Sequence, residues 1–228
     1  MNVVISHRWP RSPTAAIRLQ ERLRQRVIPV WDGRVIRTIA GVDVSVKDNR
    51  ARAAIVVLSF PDLAPAETAT AETSVKFPYV PGLLSFREIP VILRAWRRLR
   101  VMPDLLFVDG QGRAHPRRFG IACHLGVILD RPAIGVGKTR LCGTHDEPEI
   151  RRGSRVPLRD GREVIGTVLR TRDGVRPLYV SIGHRVDAAR AVKWVLACAT
   201  RYRLPEPIRA AHTAAGITHT SQKHPRPS

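Results

Sequence analysis

The spacing of apolar residues changes several times along the chain, and each change predicts a new element. Residues 12–27, "SPTAAIRLQERLRQRV", put Ile17, Leu19, Leu23 and Val27 on one broad face and Arg18, Arg22 and Arg26 on another. That is an amphipathic helix with Ser12 as N-cap and Pro13 in its first turn. Residues 35–46, "VIRTIAGVDVSV", alternate as a strand does, with Ile36, Ala40, Val42, Val44 and Val46 on one face and Arg37, Gly41, Asp43 and Ser45 on the other. A polar turn then leads to a second strand at 53–60, which predicts a hairpin, and the Thr/Ala-rich stretch 66–77 extends it as a third. A loop punctuated by Pro and Gly precedes a helix over 85–100, with Ile89, Ile92, Leu93, Trp96 and Leu99 on one face. Beyond it the pattern predicts a buried strand at 103–110, a helix at 117–130 and a short strand at 132–137. Two further strands, 163–171 and 176–183, flank a turn at 172–174, and a helix over 187–200 is capped by Asp187.

An antiparallel opening followed by strand–helix–strand crossovers implies a mixed α/β sheet flanked by helices. Neither a linker nor an internal repeat interrupts it, so residues 1–215 are expected to form one catalytic domain, and the polar tail 216–228 to be disordered. No apolar run approaches the roughly 18 residues of a membrane span, and the N-terminus has no apolar stretch of the secretory kind. The three cysteines, Cys123, Cys142 and Cys198, lack paired spacing and read as buried thiols of a reducing cytoplasm.

Charge narrows the class of partner. The chain carries 39 Lys+Arg against 19 Asp+Glu, a net charge of +20. Such an excess suits a polyanion, because each neutralised phosphate releases condensed counterions. Since 34 of the 39 cations are arginine, genome composition could also produce the skew.

Against this background the acids stand out. Asp43 lies in the first strand, Asp109 ends a buried strand, and Glu88 opens the 85–100 helix. Three carboxylates from separate segments can hold hard divalent cations, which take oxygen ligands and can clamp both oxygens of an in-line phosphoryl displacement. Two of the acids have a plainer reading: Ser85 and Glu88 also fit a capping box, and Asp109–Gly110 also fits a turn. Around Asp109, Gly110, Gly112 and Gly120 allow close backbone approach, while His115, Arg117 and Arg118 add donors. A helix starting near Arg117 would aim its positive end at the same place. Lys138 ends the neighbouring strand, either as a phosphate contact or as a solvated loop cation. His124, mid-helix, reads as a packing histidine. Tyr79, between Pro78 and Pro81, could enter a base stack or pack on its own domain.

"IAGVDVSV", "PYVPGLLSFREIP", the block at 103–143 and "RPLYVSIGH" together resemble the signature blocks of the endonuclease V family, the deoxyinosine 3′-endonucleases, from about residue 12 to 215. The resemblance implies a ribonuclease H-like fold and a monomeric, cytoplasmic, Mg²⁺-dependent DNA repair nuclease, with Mn²⁺ able to substitute. Its substrate would be single- or double-stranded DNA containing deoxyinosine, cut at the second phosphodiester bond 3′ to the lesion. It implies Asp43, Asp109 and Glu88 as metal ligands, Lys138 beside the scissile phosphate and His212 near the metal. Tyr79 would be the wedge that replaces the flipped base. Gly82, Leu84, Gly110, His115, Gly120 and Ile121 would build the base pocket, with Pro81, Gly112 and Arg117 as further DNA contacts. Gln111, Cys123, Gly137 and Thr139 depart from the commoner residues of those blocks. Two alternatives remain: an inosine-specific ribonuclease, and a protein that binds structured nucleic acid without cutting it. The complete acid triad argues against the latter, since a pure binder gains nothing from negative charge beside phosphates.

Overall fold

The alternation read along 35–46 becomes strand β1 (Thr38–Lys47), paired antiparallel with β2 (Arg50–Ser59), which pairs in turn with β3 (Pro65–Ser74). The reversal between β1 and β2 is tight because Asp48 and Asn49 both take positive φ, a conformation these two residue types tolerate better than most. The buried run at 103–110 is β4 (Leu105–Asp109), parallel to β1, and β5 (Ala133–Gly137) lies parallel to β4 on its other side. Strands β6 (Arg155–Asp160), β7 (Glu163–Leu169) and β8 (Leu178–His184) complete a mixed sheet in the order β3-β2-β1-β4-β5-β8-β7-β6. This computed structural model describes residues 4–216. The tail expected to be disordered lies, from 217 onward, outside the described residues.

Helices cover both faces. α2 (Leu84–Trp96) and α3 (Ile121–Leu129) bury Ile89, Ile92, Trp96 and Leu125 against Ala40, Val42, Val57 and Val108. On the opposite face α4 (Ala188–Cys198) and α5 (Glu206–Ala215) pack over Ile39, Phe107, Val136 and Val180. α1 (Pro13–Leu23) forms a further layer outside α2 and α3, its Ala16, Leu19 and Leu23 meeting Phe86, Phe119 and Val127. Ser12 caps α1 through the Ala15 N–H, and Asp187 caps α4 through the Arg190 N–H.

Several expectations need correction. α1 ends at Leu23 and a short 3-10 turn, Arg24–Arg26, carries the chain on, so Arg26 and Val27 are not α-helical. α3 begins at Ile121 rather than near Arg117, because Arg118 sits at φ 56° and Gly120 is the extended N-cap. Leu83, not Ser85, is the N-cap of α2, and no side chain caps it; the capping-box reading of Ser85 and Glu88 therefore fails. β6 and α5 were not expected at all. Cys123 and Cys198 are buried as expected, whereas Cys142 is only half-buried.

α5 is what fixes one end of the site to the sheet. It rests on β1 where Gly41 has no side chain: a Cβ there would lie 1.7 Å from the Pro207 carbonyl oxygen. Because backbone cannot swing aside as a side chain can, Gly41→Ala should lower stability by about 1–3 kcal/mol. Chemical denaturation of the variant checks this; a loss below about 0.5 kcal/mol, the range of neutral surface substitutions, would show that α5 does not depend on that contact.

Candidate active site

Strand alternation puts Asp43 and Asp109 on the α5 face of two adjacent parallel strands. Val42 pairs with Val108, and each aspartate is the next residue along its strand. α5 lies over this face, and its His212 Nδ1 donates to Asp43 Oδ2 at 2.8 Å. Asp43 Oδ1 accepts the Val44 N–H at 2.8 Å, which orients the carboxylate. Potential ligand atoms of Asp43, Asp109 and His212 all lie within 4.8 Å of one another. From the end of β5, Lys138 Nζ reaches Asp109 Oδ2 at 2.5 Å.

Glu88 approaches from α2, on the other side of the sheet, and is 9% exposed. Burial, and then the carboxylates of Asp43 and Asp109, push its pKa up to about 8. Burial and Asp43 raise Asp109 as well, while Lys138 pulls it down. A protein gains nothing by collecting carboxylates that resist ionisation unless a cation relieves them. The donor set of carboxylate oxygens and one imidazole nitrogen fits a divalent cation. Asp43, Asp109 and His212 would hold it, with Glu88 beside them.

Next to the acids opens a cavity of about 350 Å³, a size within the range of small-ligand sites. Asp109 belongs to both the acid cluster and the cavity wall. One side is the loop entering α2, with Tyr79, Val80, Pro81, Gly82, Leu84 and Ser85. The other is the β4–α3 loop, through Gly110, Gln111, His115, Gly120 and Ile121, and the end of β5, through Gly137, Lys138 and Thr139. Tyr79 stands at the rim, 72% exposed between its two prolines.

Gly82 anchors this wall. Its φ of 77° suits glycine, and its carbonyl accepts from His115 Nε2 at 2.9 Å, Arg117 Nη2 at 2.8 Å and Gln20 Nε2 at 3.0 Å. His115 Nδ1 accepts the Arg117 N–H at 3.1 Å, so the imidazole proton resides on Nε2 and faces Gly82. Burial lowers the His115 pKa to about 4, which keeps the ring neutral at physiological pH.

Most residues singled out in the sequence therefore meet here. Outside the acid cluster, three do not line the cavity: Gly112, Arg117 and Arg118, the last of which pairs with Asp160 and Glu163. Gly112 packs under the Ile182 carbonyl, where a Cβ would lie 2.1 Å from the oxygen, and donates its N–H to Ser181 Oγ. Arg117 turns inward to Gly82 and Gln20. Eight lining residues were not among the expected site residues: Gln20, Val80, Ser85, Gln111, Gly137, Thr139, Arg140 and Leu141. Gln20 is a polar residue on the buried side of α1, between Ala16 and Leu23, and that misplacement was the available signal. His124 is fully buried and bonded to His7 and Ser85, as a packing histidine would be.

Comparison with known proteins places this geometry. The family model described as Endonuclease V matches residues 18–213. The chain belongs to the endonuclease V family. It is 55% identical over 212 residues to Endonuclease V from Alkalilimnicola ehrlichii, covering 92% of this chain and 93% of that one. The crystal structure of Endonuclease V from Streptomyces avermitilis superposes with a TM-score of 0.87 at 43% identity, covering 94% of this chain and 96% of the other. Endonuclease V of Ciona intestinalis, 27% identical with a TM-score of 0.79 over 89% of this chain and 95% of that one, was solved with a 24mer DNA containing an inosine followed by a ribo-adenosine. The fold is thus the ribonuclease H-like mixed sheet of this family, and the chain is a nuclease by family.

The acid cluster has a pH consequence in the absence of metal. Glu88 has a raised folded-state pKa, so its protonated form stabilises the protein below about 4.5 and that contribution is lost as pH rises toward about 8. Glu88→Gln, which is neutral throughout, should melt at a higher temperature than wild type at pH 9 in EDTA, with the gap closing toward pH 5. Identical melting curves at pH 9 would mean that Glu88 does not bear the strain.

Proposed function

We propose that the chain is a DNA repair endonuclease that recognises deoxyinosine and hydrolyses the second phosphodiester bond on its 3′ side. The observation that carries this reading is the continuity of the acid cluster with the cavity through Asp109. A base held in the cavity would bring a nearby phosphodiester of its own strand to the carboxylates.

Leu84 and Ser85 open α2 at the cavity wall, where helix N–H groups have no partner within the helix. Such donors suit the 6-oxygen of hypoxanthine and face the amino group of adenine donor to donor, which rejects it. A flipped base is required for that contact, and an inosine mispair costs less to extrude than a normal pair. Tyr79, on its proline-stiffened loop, would fill the vacated stack.

For the chemistry, a divalent ion, Mg²⁺ by preference and Mn²⁺ in its place, would lower the pKa of a bound water and offset oxyanion charge. Asp43 and Asp109 serve as the acidic ligands, and Glu88 would ionise beside them once the cation is bound. His212 holds Asp43 in orientation, and Lys138, drawn to Asp109, lies where it can contact a phosphate oxygen. Water oxygen forms the new P–O bond, the P–O3′ bond breaks, and the departing oxygen takes a proton. The products carry 3′-hydroxyl and 5′-phosphate ends.

The test is a gel assay of purified protein on a duplex bearing one deoxyinosine, with Mg²⁺ and with EDTA, beside a matched RNA carrying inosine. A single Mg²⁺-dependent nick at the second linkage 3′ to the lesion is expected in DNA; cutting of the RNA alone would reassign the substrate to RNA, and retention without cutting would leave a binding protein. Asp109→Asn should lower the nicking rate by at least about 100-fold while leaving duplex affinity within a few-fold. A near wild-type rate would remove Asp109 from the chemistry. Tyr79→Ala should lower the preference for inosine over undamaged DNA more than it lowers nonspecific binding, and an unchanged preference would count against the wedge.

A further inference from the structure

The loop between β4 and α3 nests in a mould of glycines, and one of them differs from the rest. Cβ atoms at Gly120 and Gly135 would collide with loop backbone, lying 2.2 Å from the Gln111 oxygen and 2.3 Å from the Gly112 nitrogen. A chain of any sequence following this path would need those two. At Gly137 the obstruction is a side chain: a Cβ would lie 2.2 Å from Gln111 Nε2 and 2.8 Å from its amide carbon. Gly137 therefore makes room for one group only, the carboxamide of Gln111.

That carboxamide lies across β5 and donates to the Thr139 carbonyl at 2.9 Å. The carbonyl of Lys138 is held from the other side by Arg203 Nη2, also at 2.9 Å. Two successive carbonyls are thus tethered, and the Lys138 side chain leaves for Asp109 from the Cα immediately before the first of them. Gln111 Oε1 is buried and finds no donor among the described residues. Its desolvation is uncompensated, so the amide is oriented by its donor, not its acceptor.

We infer that Gln111, seated on Gly137, is a positioning residue that sets Lys138 against Asp109 for phosphodiester cleavage. This rests on the nuclease reading given above. A lysine on a flexible stem loses its purchase when the backbone that presents it moves, and misplacement of about 1 Å can cost up to about 100-fold in rate. The effect falls on the chemical step, because Gln111 holds a backbone carbonyl and leaves the rest of the cavity wall untouched.

Single-turnover cleavage and equilibrium binding of an inosine duplex, measured on wild type, Gln111→Ala, Gly137→Ala and the double variant, test it. Gln111→Ala should lower the saturated rate about ten-fold with affinity within about two-fold. Gly137→Ala should be slower still, because its methyl drives the amide off Thr139. The double variant should return to the Gln111→Ala level, since the group that the methyl strikes has gone; it should do so even where Gly137→Ala alone fails to fold. A double variant as slow as Gly137→Ala would mean that Gly137 is needed for its backbone, and the inference falls. So would a Gln111→Ala enzyme with the full wild-type rate. A wild type that leaves the inosine duplex uncut would instead overturn the nuclease reading itself.

Discussion

Three carboxylates gathered at two central strands of the sheet and the helix beside them repel one another, and the surrounding structure is arranged to hold them there. Two unit charges about 4 Å apart repel by about 4 kcal/mol at an effective dielectric near 20, and Asp43, Asp109 and Glu88 meet in space partly shielded from water. The protein answers in three ways. Lys138 neutralises part of the charge through Asp109, and Glu88 keeps its proton up to about pH 8. The supporting elements are also held by apolar contacts: α2 by Ile89 and Ile92, and α5 by Ile208 and Ala211. Each fully buried isoleucine contributes about 1.5–3 kcal/mol, so a few of them are enough to hold the acids together. A divalent cation would relieve the residual strain, which is why such a cluster reads as a site.

A second constraint is closeness. The loop that carries Gly110 and Gln111 from Asp109 into α3 runs so near β5 and β8 that side chains would block it at Gly112, Gly120 and Gly135. Tight nesting gives the cavity its rigidity. Rigid walls matter to recognition because an acceptor or donor misplaced by an ångström no longer discriminates between an oxygen and an amino group. The wall opposite is rigid for a different reason: three donors converge on the Gly82 carbonyl, and two of them, from His115 and Arg117, belong to the β4–α3 loop. The two walls are therefore bonded to each other across the cavity.

Strand alternation made the central part of this arrangement legible in the sequence. With Ala40, Val42, Val44 and Val46 inward on one face, Asp43 had to lie on the other, and the register with β4 then brings Asp109 beside it. Family resemblance supplied His212, whose helix the pattern did not reveal. In "EPIRAAHTAA" small alanines form the buried stripe, Ile208, Ala211 and Ala215, and alanine carries too little hydrophobic contrast to mark a period. The start signal was present in Pro205, Glu206 and Pro207, since proline belongs in a first turn. β6 was hidden because it is an edge strand in which only Leu158 is buried, and its Pro157 argues against a strand except at such an edge. Glu88 was legible as an acid but not as a buried one, because its environment is made by two strands distant in sequence. Gln111 could not be read at all: its role depends on a glycine 26 residues away, which only the pairing of β4 with β5 brings alongside.

Charge and recognition come together on α1. Its outer surface exposes Arg18 and Arg22, neither of them in an ion pair among the described residues, while Gln20 on its inner side bonds Gly82, Phe119 and Arg117. One helix thus presents cations to solvent and buttresses the cavity from behind. On the proposed reading, a strand drawn in by counterion release along α1 meets a wall that the same helix holds still. The net charge of +20 says only that a polyanion is welcome. The direction of Gln20 adds that the helix bearing these cations also supports the cavity wall.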